Sequence, residues 1–293
     1  MNQKAVIDSF FHHDTNTVSY LVSDPSTRMA AIIDPVIDYS PNDGQVRFDS
    51  IDAILAFANE KKLTIAMVLE THIHADHLSA AHYIKQITHA KVGIGEHIRE
   101  VQALFNPLFN LIEPATLEDF DLFFKDNETF ALGELTFKVL HTPGHTPACI
   151  TYCVDDAAVV GDTLFMPDYG TARADFPGGS ADALYHSISR ILALPPQTRL
   201  FLCHDYKPAG RDHFVWETTV LDQRKHNIHI HDGVSAAEFI QRRNERDATL
   251  DQPRLILPSL QINVRAGRFP AKEGNNKQYI KIPLTINSEK TLC

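Results

Sequence analysis

One short stretch of the sequence concentrates side chains that bind metals. It carries imidazoles at His72, His74 and His77 and a carboxylate at Asp76. Neutral imidazole and carboxylate are the ordinary nitrogen and oxygen ligands of divalent metals, and a bound metal offsets the cost of crowding such groups into one loop. The stretch therefore predicts a metal-binding loop, with a solvated histidine-rich loop, as at His12, as the alternative.

Three more candidate ligands follow short apolar runs further along the chain. They are His145, Asp162 and His204, and a similar run at residues 63–69 precedes the histidine loop. Short uninterrupted apolar runs are typical of buried strands, and open sheets present functional groups at the carboxyl ends of their strands. We therefore expect the histidine loop and these three residues to meet at one edge of the sheets.

Length and composition restrict the class of protein. At 293 residues with 44% hydrophobic content, the chain is long enough for one large domain or two ordinary ones with a proper core. The formal net charge of −10 argues against binding nucleic acid, because no basic surface is available to replace phosphate counterions.

The cysteines and the hydropathy pattern predict a cytoplasmic protein. Four widely spaced cysteines are too few for a disulfide scaffold and indicate reduced thiols (Cys149, Cys153, Cys203 and Cys293). The amino terminus has no apolar signal core, and no run approaches the ~18 apolar residues of a membrane span. We therefore predict no membrane partner.

Periodicity predicts the elements that hold these ligands. Three short antiparallel strands open the chain, and strand, helix and strand recur in both halves, which indicates a duplicated sandwich. Ser180 is predicted to cap one helix, and Ser235 with Glu238 to open another as a capping box. Further helices are predicted at residues 51–58, 78–88 and 96–105 and directly after His204, and the tail from residue 253 has no firm assignment.

With these motifs in place, the sequence resembles the metallo-β-lactamase superfamily over roughly residues 5 to 245. The resemblance implies an α/β fold, a four-layer αβ/βα sandwich with two mixed β-sheets flanked by helices and the metal at the sheet ends. It also implies a catalytic domain of residues 1–250 and a C-terminal extension of residues 251–293 packed on the same domain. Fold alone does not determine the chemistry.

Two branches of that superfamily carry the same set of residues. Glyoxalase II enzymes hydrolyse a glutathione thioester at a binuclear metal centre. Persulfide dioxygenases keep the same residues but bind one iron, through the positions that match His72, His145 and Asp162. The ligand types that both branches share are all present in this sequence as His72, His74, Asp76, His77, His145, Asp162 and His204.

The residues that flank the ligands resemble the persulfide dioxygenase branch. The resemblance is carried by residues 171–176, residues 184–187 and His204-Asp205-Tyr206, where glyoxalase II proteins usually place Glu-Tyr-Thr after the last histidine. The tail beyond residue 245 looks like that of a bacterial subgroup with an extended carboxyl terminus.

The resemblance therefore implies a persulfide dioxygenase in sulfide detoxification. It would oxidise glutathione persulfide with O2 and water to sulfite and glutathione at one non-haem Fe(II) per chain, and it would form a homodimer. In that case His74, Asp76, His77 and His204 orient the ligands, while Asp205 either joins them or faces solvent. The alternative is a glyoxalase II-like hydrolase with two zinc, iron or manganese ions.

Arg173, Tyr206 and Arg265 are the predicted substrate-binding residues. A forked guanidinium binds the carboxylates of glutathione in a bidentate manner. The alternatives are a loop salt bridge to Asp175 for Arg173, a packed aromatic for Tyr206 and a surface charge for Arg265. Cys149 and the nearby Cys153 lie four residues apart, which favours small buried hydrophobes on one face of a strand over redox residues.

Overall fold

The computed structural model describes residues 4–111 and 113–284, which form fifteen strands and seven α-helices. In chain order the strands are β1 (Val6–His12), β2 (Thr17–Ser23), β3 (Met29–Ile33), β4 (Val36–Ser40), β5 (Gln45–Arg47), β6 (Thr64–Leu69), β7 (Leu78–Ser79), β8 (Lys91–Gly95), β9 (Leu122–Phe124), β10 (Thr129–Leu132), β11 (Leu135–His141), β12 (Ile150–Val154), β13 (Ala157–Val159), β14 (Arg199–Phe201) and β15 (Glu217–Thr219). The helices are α1 (Asp49–Glu60), α2 (Ala81–Thr88), α3 (Ile98–Phe109), α4 (Ala181–Leu192), α5 (Val220–His226), α6 (Ala236–Asp247) and α7 (Ile256–Asn263).

Two mixed six-stranded sheets form the centre of the fold. The first has the order β1-β2-β3-β6-β8-β9, and the second runs from β10 to β15 in chain order. The opening strands β1 to β3 pair antiparallel, as predicted, whereas β3, β6, β8 and β9 pair in parallel. In the second sheet only β13 and β14 pair in parallel. A small third sheet joins β5, β4 and β7.

The two large sheets pack face to face, and helices cover both outer faces. Because side chains alternate along a strand, Tyr20 and Val22 enter the core between the sheets, where they join Phe137 and Tyr152. Leu21, between them in sequence, enters the core on the opposite side, beneath α1, α2, α3 and α7. A third core lies between the second sheet and helices α4 to α6. The predicted four-layer αβ/βα sandwich is therefore confirmed.

Two predicted helix starts are confirmed in detail. The Ser180 side chain accepts a hydrogen bond from the Ala183 N–H at the start of α4. Ser235 and Glu238 form both hydrogen bonds of a capping box at the start of α6. Such caps stabilise a helix by about 1 kcal/mol each, and they depend only on neighbouring residues.

Other predicted boundaries were wrong where a distant partner decides the structure. The helix predicted over residues 78–88 begins at Ala81, because Leu78 and Ser79 pair with β4 instead. The segment directly after His204 is an irregular loop followed by β15, and its helix begins only at Val220.

Helix α7 and the residues after it pack on the first sheet. Leu260 and Ile262 belong to the core beneath α1, α2 and α3, and the half-buried Ile256 and Leu257 pack against that core. The domain boundary at residue 250 stays a prediction. None of the helices described reaches the length and apolarity that crossing a membrane requires.

Candidate metal centre

The histidine loop follows β6, and its imidazoles lie inside the protein. His72, His74 and His77 are buried, while the Asp76 side chain is 26% exposed. β6 has a parallel neighbour on each side, so pairing fixes its carboxyl end. The loop therefore leaves from a rigid support.

A first ligand group consists of His72, His145 and Asp162. Nε2 of His72 lies 3.8 Å from Asp162 Oδ2, and Nε2 of His145 lies 3.6 Å from the same oxygen. Ligand atoms around an ion bound at about 2.1 Å lie about 3 to 3.5 Å from one another. The three atoms are therefore spaced close to the arrangement that one ion requires.

Hydrogen bonds at the other ring nitrogens leave Nε2 of both histidines free. His145 Nδ1–H donates to the Arg173 carbonyl oxygen at 2.8 Å. His72 Nδ1 lies 3.0 Å from the hydroxyl of Thr71, which donates its own proton to Asp34 at 2.8 Å and so accepts from the imidazole. Bonds of this kind fix the tautomer and the orientation of a ligand ring.

A second ligand group lies on the other side of Asp162. Nε2 of His204 lies 3.3 Å from both Asp76 Oδ2 and Asp162 Oδ1, and its Nδ1 donates to the Asn16 carbonyl oxygen at 3.1 Å. His77 lies beside this group, with Nδ1 3.5 Å from Asp76 Oδ1. Asp162 thus presents one carboxylate oxygen to each group.

His74 is held by two buried carboxylates. Its Nε2–H lies 3.0 Å from Asp34 Oδ1 and 3.3 Å from Glu70 Oε2. Burial alone would lower the pKa of His74, but the two carboxylates raise it well above its usual value. Asp34 was not predicted, although it follows the carboxyl end of β3 as the candidate ligands follow their strands.

The unpaired atoms of these residues are what a metal would require. Buried polar atoms are almost always hydrogen-bonded. Within the described residues, six buried atoms from the candidate ligands form no hydrogen bond: His72 Nε2, His74 Nδ1, Asp76 Oδ2, His77 Nε2, Asp162 Oδ1 and His204 Nε2. Burial and neighbouring imidazoles lower the pKa of His72 well below its usual value and that of His77 to about 4, so both rings are neutral donors. The donor set fits one or two divalent ions.

A residue of helix α7 supports the histidine loop from the far end of the chain. Asn263 is buried, and its Nδ2 donates to the carbonyl oxygens of His74 at 2.8 Å and His77 at 2.7 Å. Its Oδ1 accepts from the Ser79 N–H at 2.8 Å. No local pattern in the sequence indicates this contact.

A cavity of about 360 Å³ opens beside the two ligand groups. His145, Asp162 and Asp76 lie in its wall, so both groups are reachable from solvent. Its size is within the range of about 300–1,000 Å³ that is typical of small-molecule sites. The position and size of the cavity indicate where a substrate would enter.

Arg173 and Tyr206 line this cavity. The Arg173 guanidinium donates to both carboxylate oxygens of Asp175, at 2.6 and 2.7 Å, and to the Asp251 carbonyl oxygen at 2.7 Å. The salt bridge considered for Arg173 is therefore present. The Tyr206 ring stacks on the His204 ring with a centroid distance of 5.6 Å, and the residue is 37% exposed.

Asp205 does not touch the candidate ligands. It is buried, which makes the solvent-facing alternative wrong, and it accepts hydrogen bonds from Arg211 Nη1 at 2.7 Å and from the Val215 N–H at 2.7 Å. Its carboxylate therefore holds the loop that follows His204, and it acts on the metal centre only through the backbone.

Arg265 lies away from the cavity that contains the candidate ligands. Its side chain is 1% exposed, so the surface-charge alternative is wrong. Its Nη2 donates to the Phe269 carbonyl oxygen at 3.3 Å, and it borders a separate small cavity with Glu113. This position gives Arg265 no contact with a substrate beside Asp162.

Cys149 is buried and Cys153 is half-buried, and both carry free thiols. Burial raises the pKa of Cys149 to about 12 and that of Cys153 to about 11, so neither forms a thiolate at neutral pH. A thiolate is the nucleophilic form of cysteine. Cys293 lies outside the described residues.

Comparison with known proteins agrees with this geometry. A sequence model of the metallo-β-lactamase superfamily matches residues 14–204, the span that contains every candidate ligand. The chain belongs to this superfamily. Its members are enzymes, and the paired His and Asp groups described above are candidate metal ligands of the kind that the superfamily uses.

Similar sequences within the superfamily carry different names. A probable metallo-hydrolase of Burkholderia pseudomallei is 49% identical over 95% of this chain and 98% of its own length. Glyoxylase B2 of Dictyostelium discoideum is 46% identical over 97% of this chain and 98% of its own length. Human mitochondrial persulfide dioxygenase ETHE1 is 27% identical over 86% of this chain and 84% of its own length.

The crystal structure of ETHE1 from Myxococcus xanthus is similar to this fold over most of the chain. It superimposes with a TM-score of 0.72 at 30% identity, over 90% of this chain and all of that protein. The resemblance to the superfamily and its fold are therefore both confirmed.

Proposed function

We propose that this protein is a persulfide dioxygenase that acts on glutathione persulfide. In the overall reaction, glutathione persulfide, O2 and water give glutathione, sulfite and two protons. The terminal sulfur is oxidised, O2 is reduced, and the sulfur–sulfur bond breaks with the thiol retained by glutathione.

The arrangement of His72, His145 and Asp162 supports the proposal most strongly. Their three donor atoms lie together, and His145 and Asp162 face the cavity. Two imidazoles and one carboxylate on one face of Fe(II) leave open positions that support redox chemistry between a substrate and O2. The likeness to ETHE1 supports the same proposal.

The remaining residues of the site orient these ligands and receive the substrate. The Thr71 hydroxyl and the Arg173 carbonyl oxygen hold His72 and His145 with their Nε2 atoms toward Asp162. Tyr206, stacked on His204, forms one side of the cavity. We expect these contacts to fix the substrate sulfur beside Asp162.

A glyoxalase II-like hydrolase is the second candidate. The unpaired buried atoms of His74, Asp76, His77 and His204 favour it, because together with Asp162 they complete ligands for a second ion. The names of the more similar relatives also favour a hydrolase. In that case two zinc, iron or manganese ions would be bound, and a glutathione thioester would be the substrate.

A single preparation distinguishes the two candidates. The iron-loaded protein is assayed for O2 uptake and sulfite formation with glutathione persulfide, and for hydrolysis of S-lactoylglutathione. We expect rapid O2 uptake and little hydrolysis. Hydrolysis without O2 uptake would refute the dioxygenase proposal.

Metal analysis of variants provides an independent test. We expect one iron per chain in the wild type and none in His72→Ala, His145→Ala or Asp162→Ala, whereas His77→Ala keeps its iron. Two ions per wild-type chain, with one lost in His77→Ala, would instead establish the binuclear centre. Cytoplasmic location and a homodimer stay predictions, for which fractionation and light scattering are the tests.

A further inference from the structure

A line of hydrogen bonds leads from the second ligand group to the end of β1. Thr17, the first residue of β2, is buried, and its Oγ1 lies 3.3 Å from His77 Nδ1 and 3.4 Å from His204 Nδ1. The same oxygen lies 2.8 Å from Thr15 Oγ1, which in turn lies 2.8 Å from His12 Nδ1. Two hydroxyl groups therefore connect the candidate ligands to the His12 imidazole.

The direction of these hydrogen bonds follows from the end nearest the metal centre. Nε2 of His77 forms no hydrogen bond and is free for a metal, so Nδ1 carries the ring proton and donates to Thr17. The Thr17 hydroxyl then donates to Thr15, and the Thr15 hydroxyl donates to His12 Nδ1. In the neutral His12 ring, Nε2 carries the proton and donates to Asp38 Oδ1 at 3.3 Å. Each hydroxyl of the line therefore accepts on one side and donates on the other.

Asp38 holds the far side of the His12 ring as a carboxylate. It accepts from the Ser50 N–H at 2.9 Å and from the Ser50 hydroxyl at 2.5 Å. Burial raises the pKa of Asp38, but the Ser50 hydrogen bonds and the His12 ring outweigh it and lower the pKa below its usual value. A negative charge beside His12 stabilises the imidazolium ion that forms when Nδ1 accepts a proton.

Thr15 and His12 lie between two cavities. Thr15 is half-buried and lines the cavity beside Asp162. His12 is 9% exposed and lines a second cavity of about 390 Å³, which α1 also borders through Ser50 and Ile54. Among the described residues that line the second cavity, His12 is the only one with a titratable side chain. Imidazole is the side chain best suited to accept and release protons near neutral pH.

We propose that Thr15 and His12 form a proton relay from the cavity beside Asp162 to the second cavity. Both candidate reactions release protons, two in persulfide oxidation and one in thioester hydrolysis. While a substrate fills the cavity beside Asp162, these protons need another way to solvent, and the line of hydrogen bonds supplies it. The relay rests on the proposed function only for the source of the protons.

Each transfer moves one proton and no electrons. A hydroxyl oxygen accepts two hydrogen bonds, so Thr15 can accept one from a proton donor in the cavity besides the one from Thr17. That donor gives a proton to the Thr15 oxygen, while the Thr15 hydroxyl gives its own proton to His12 Nδ1. The imidazolium ion then turns into the second cavity, loses the same proton to water and returns to Asp38.

Turnover of the metal-loaded protein tests the relay. We expect His12→Ala to lower kcat about 10- to 100-fold and to keep KM and metal content, because His12 contacts Thr15 and Asp38 rather than a candidate ligand. Imidazole added to the buffer should restore much of the lost rate, because it can enter the second cavity and replace the missing ring. Wild-type protein at the same imidazole concentration corrects for binding of imidazole to the metal.

Matched variants separate a relay from a structural role. His13→Ala should keep the wild-type kcat, because His13 is exposed and packs its ring against Phe214. Thr15→Val keeps the shape of the side chain but removes the hydroxyl, so kcat should fall and imidazole should not restore it. Thr15→Ser retains the hydroxyl and should recover most of the rate.

The hydrogen bonds can be tested without turnover. In the zinc-loaded protein at pH ~8, nitrogen NMR should show a proton on Nε2 of His12 and none on Nδ1, because Thr15 donates to Nδ1. A proton on Nδ1 with Nε2 unprotonated would overturn the relay.

The kinetic results can overturn it as well. Wild-type kcat in His12→Ala or in Thr15→Val would do so, and so would a rate loss in His12→Ala that imidazole does not restore. Turnover is measured with glutathione persulfide and with S-lactoylglutathione. Thioester hydrolysis in place of O2 uptake, with the rate still dependent on His12, would refute the dioxygenase and leave the relay intact.

Discussion

Replacing Asn263 with alanine is expected to weaken both the fold and the metal centre. The change removes three buried hydrogen bonds, two to the carbonyl oxygens of His74 and His77 and one from the Ser79 N–H. At about 1 kcal/mol for each bond, the free energy of unfolding should fall by about 3 kcal/mol. Because the freed carbonyl groups belong to the loop that also carries His72, metal affinity should fall about 10- to 100-fold.

Two measurements separate these effects. Urea unfolding of the metal-free protein gives the change in stability, and titration against a chelator gives metal affinity. Gln261→Ala is the matched control, because Gln261 is buried on the same helix and its side chain also makes three hydrogen bonds. It donates to the carbonyl oxygens of Leu257 at 2.9 Å and Lys281 at 2.7 Å, and it accepts from the Lys281 N–H at 2.8 Å. We expect it to lose about 3 kcal/mol of stability and to keep its metal affinity.

The comparison of the two variants decides whether the reasoning holds. Wild-type metal affinity in Asn263→Ala would show that β6 alone positions the histidine loop. An equal loss of affinity in Gln261→Ala would show that general destabilisation, rather than the contact with the loop, weakens metal binding.

Three further predictions concern other parts of the fold. Gly144→Ala should lower the free energy of unfolding by about 3 kcal/mol or more and abolish metal binding. Gly144 has φ +138°, and a Cβ there would meet the Leu184 backbone. Wild-type stability in urea would contradict this. Burial raises the pKa of Asp24, but hydrogen bonds from the Glu134 N–H and other donors outweigh it and lower the pKa below its usual value. The Asp24 carboxylate therefore stabilises the fold above pH ~4, and this stabilisation is lost as the pH falls through the pKa of the folded state. In Asp24→Asn, the free energy of unfolding from urea curves at successive pH values should fall less steeply as the pH is lowered. A fall as steep as in the wild type would contradict this. In native protein at pH ~8, Cys149 should resist iodoacetamide and react only after unfolding, as followed by mass spectrometry, because burial raises its pKa to about 12; rapid native labelling would contradict it.

The sequence was most informative where structure depends on neighbouring residues. The caps at Ser180 and Ser235 could be predicted because the residues that form them lie three apart. The candidate metal ligands could be brought together from the sequence because each follows the carboxyl end of a short apolar run. Asp34 obeys the same rule, because it directly follows the carboxyl end of β3.

Contacts between distant segments could not be predicted in this way. Nothing near Asn263 indicates that it binds the histidine loop, and the charge of Arg265 gives no sign that the side chain is buried. The same reason explains the wrong helix start at Leu78, whose pairing with β4 overrides its local preference. Each outcome depends on packing between segments that are far apart in the chain.

The contact of Asn263 with the histidine loop also sets an order of events during biosynthesis. The loop ends at His77, but its support lies at residue 263 and cannot form until that residue has left the ribosome. At about 5–20 residues per second, this leaves about 10 to 40 s in which the emerging chain holds unbraced imidazoles. Stable metal capture is therefore expected only after residue 263 has emerged, so the metal present in the cell at that time determines which ion is bound.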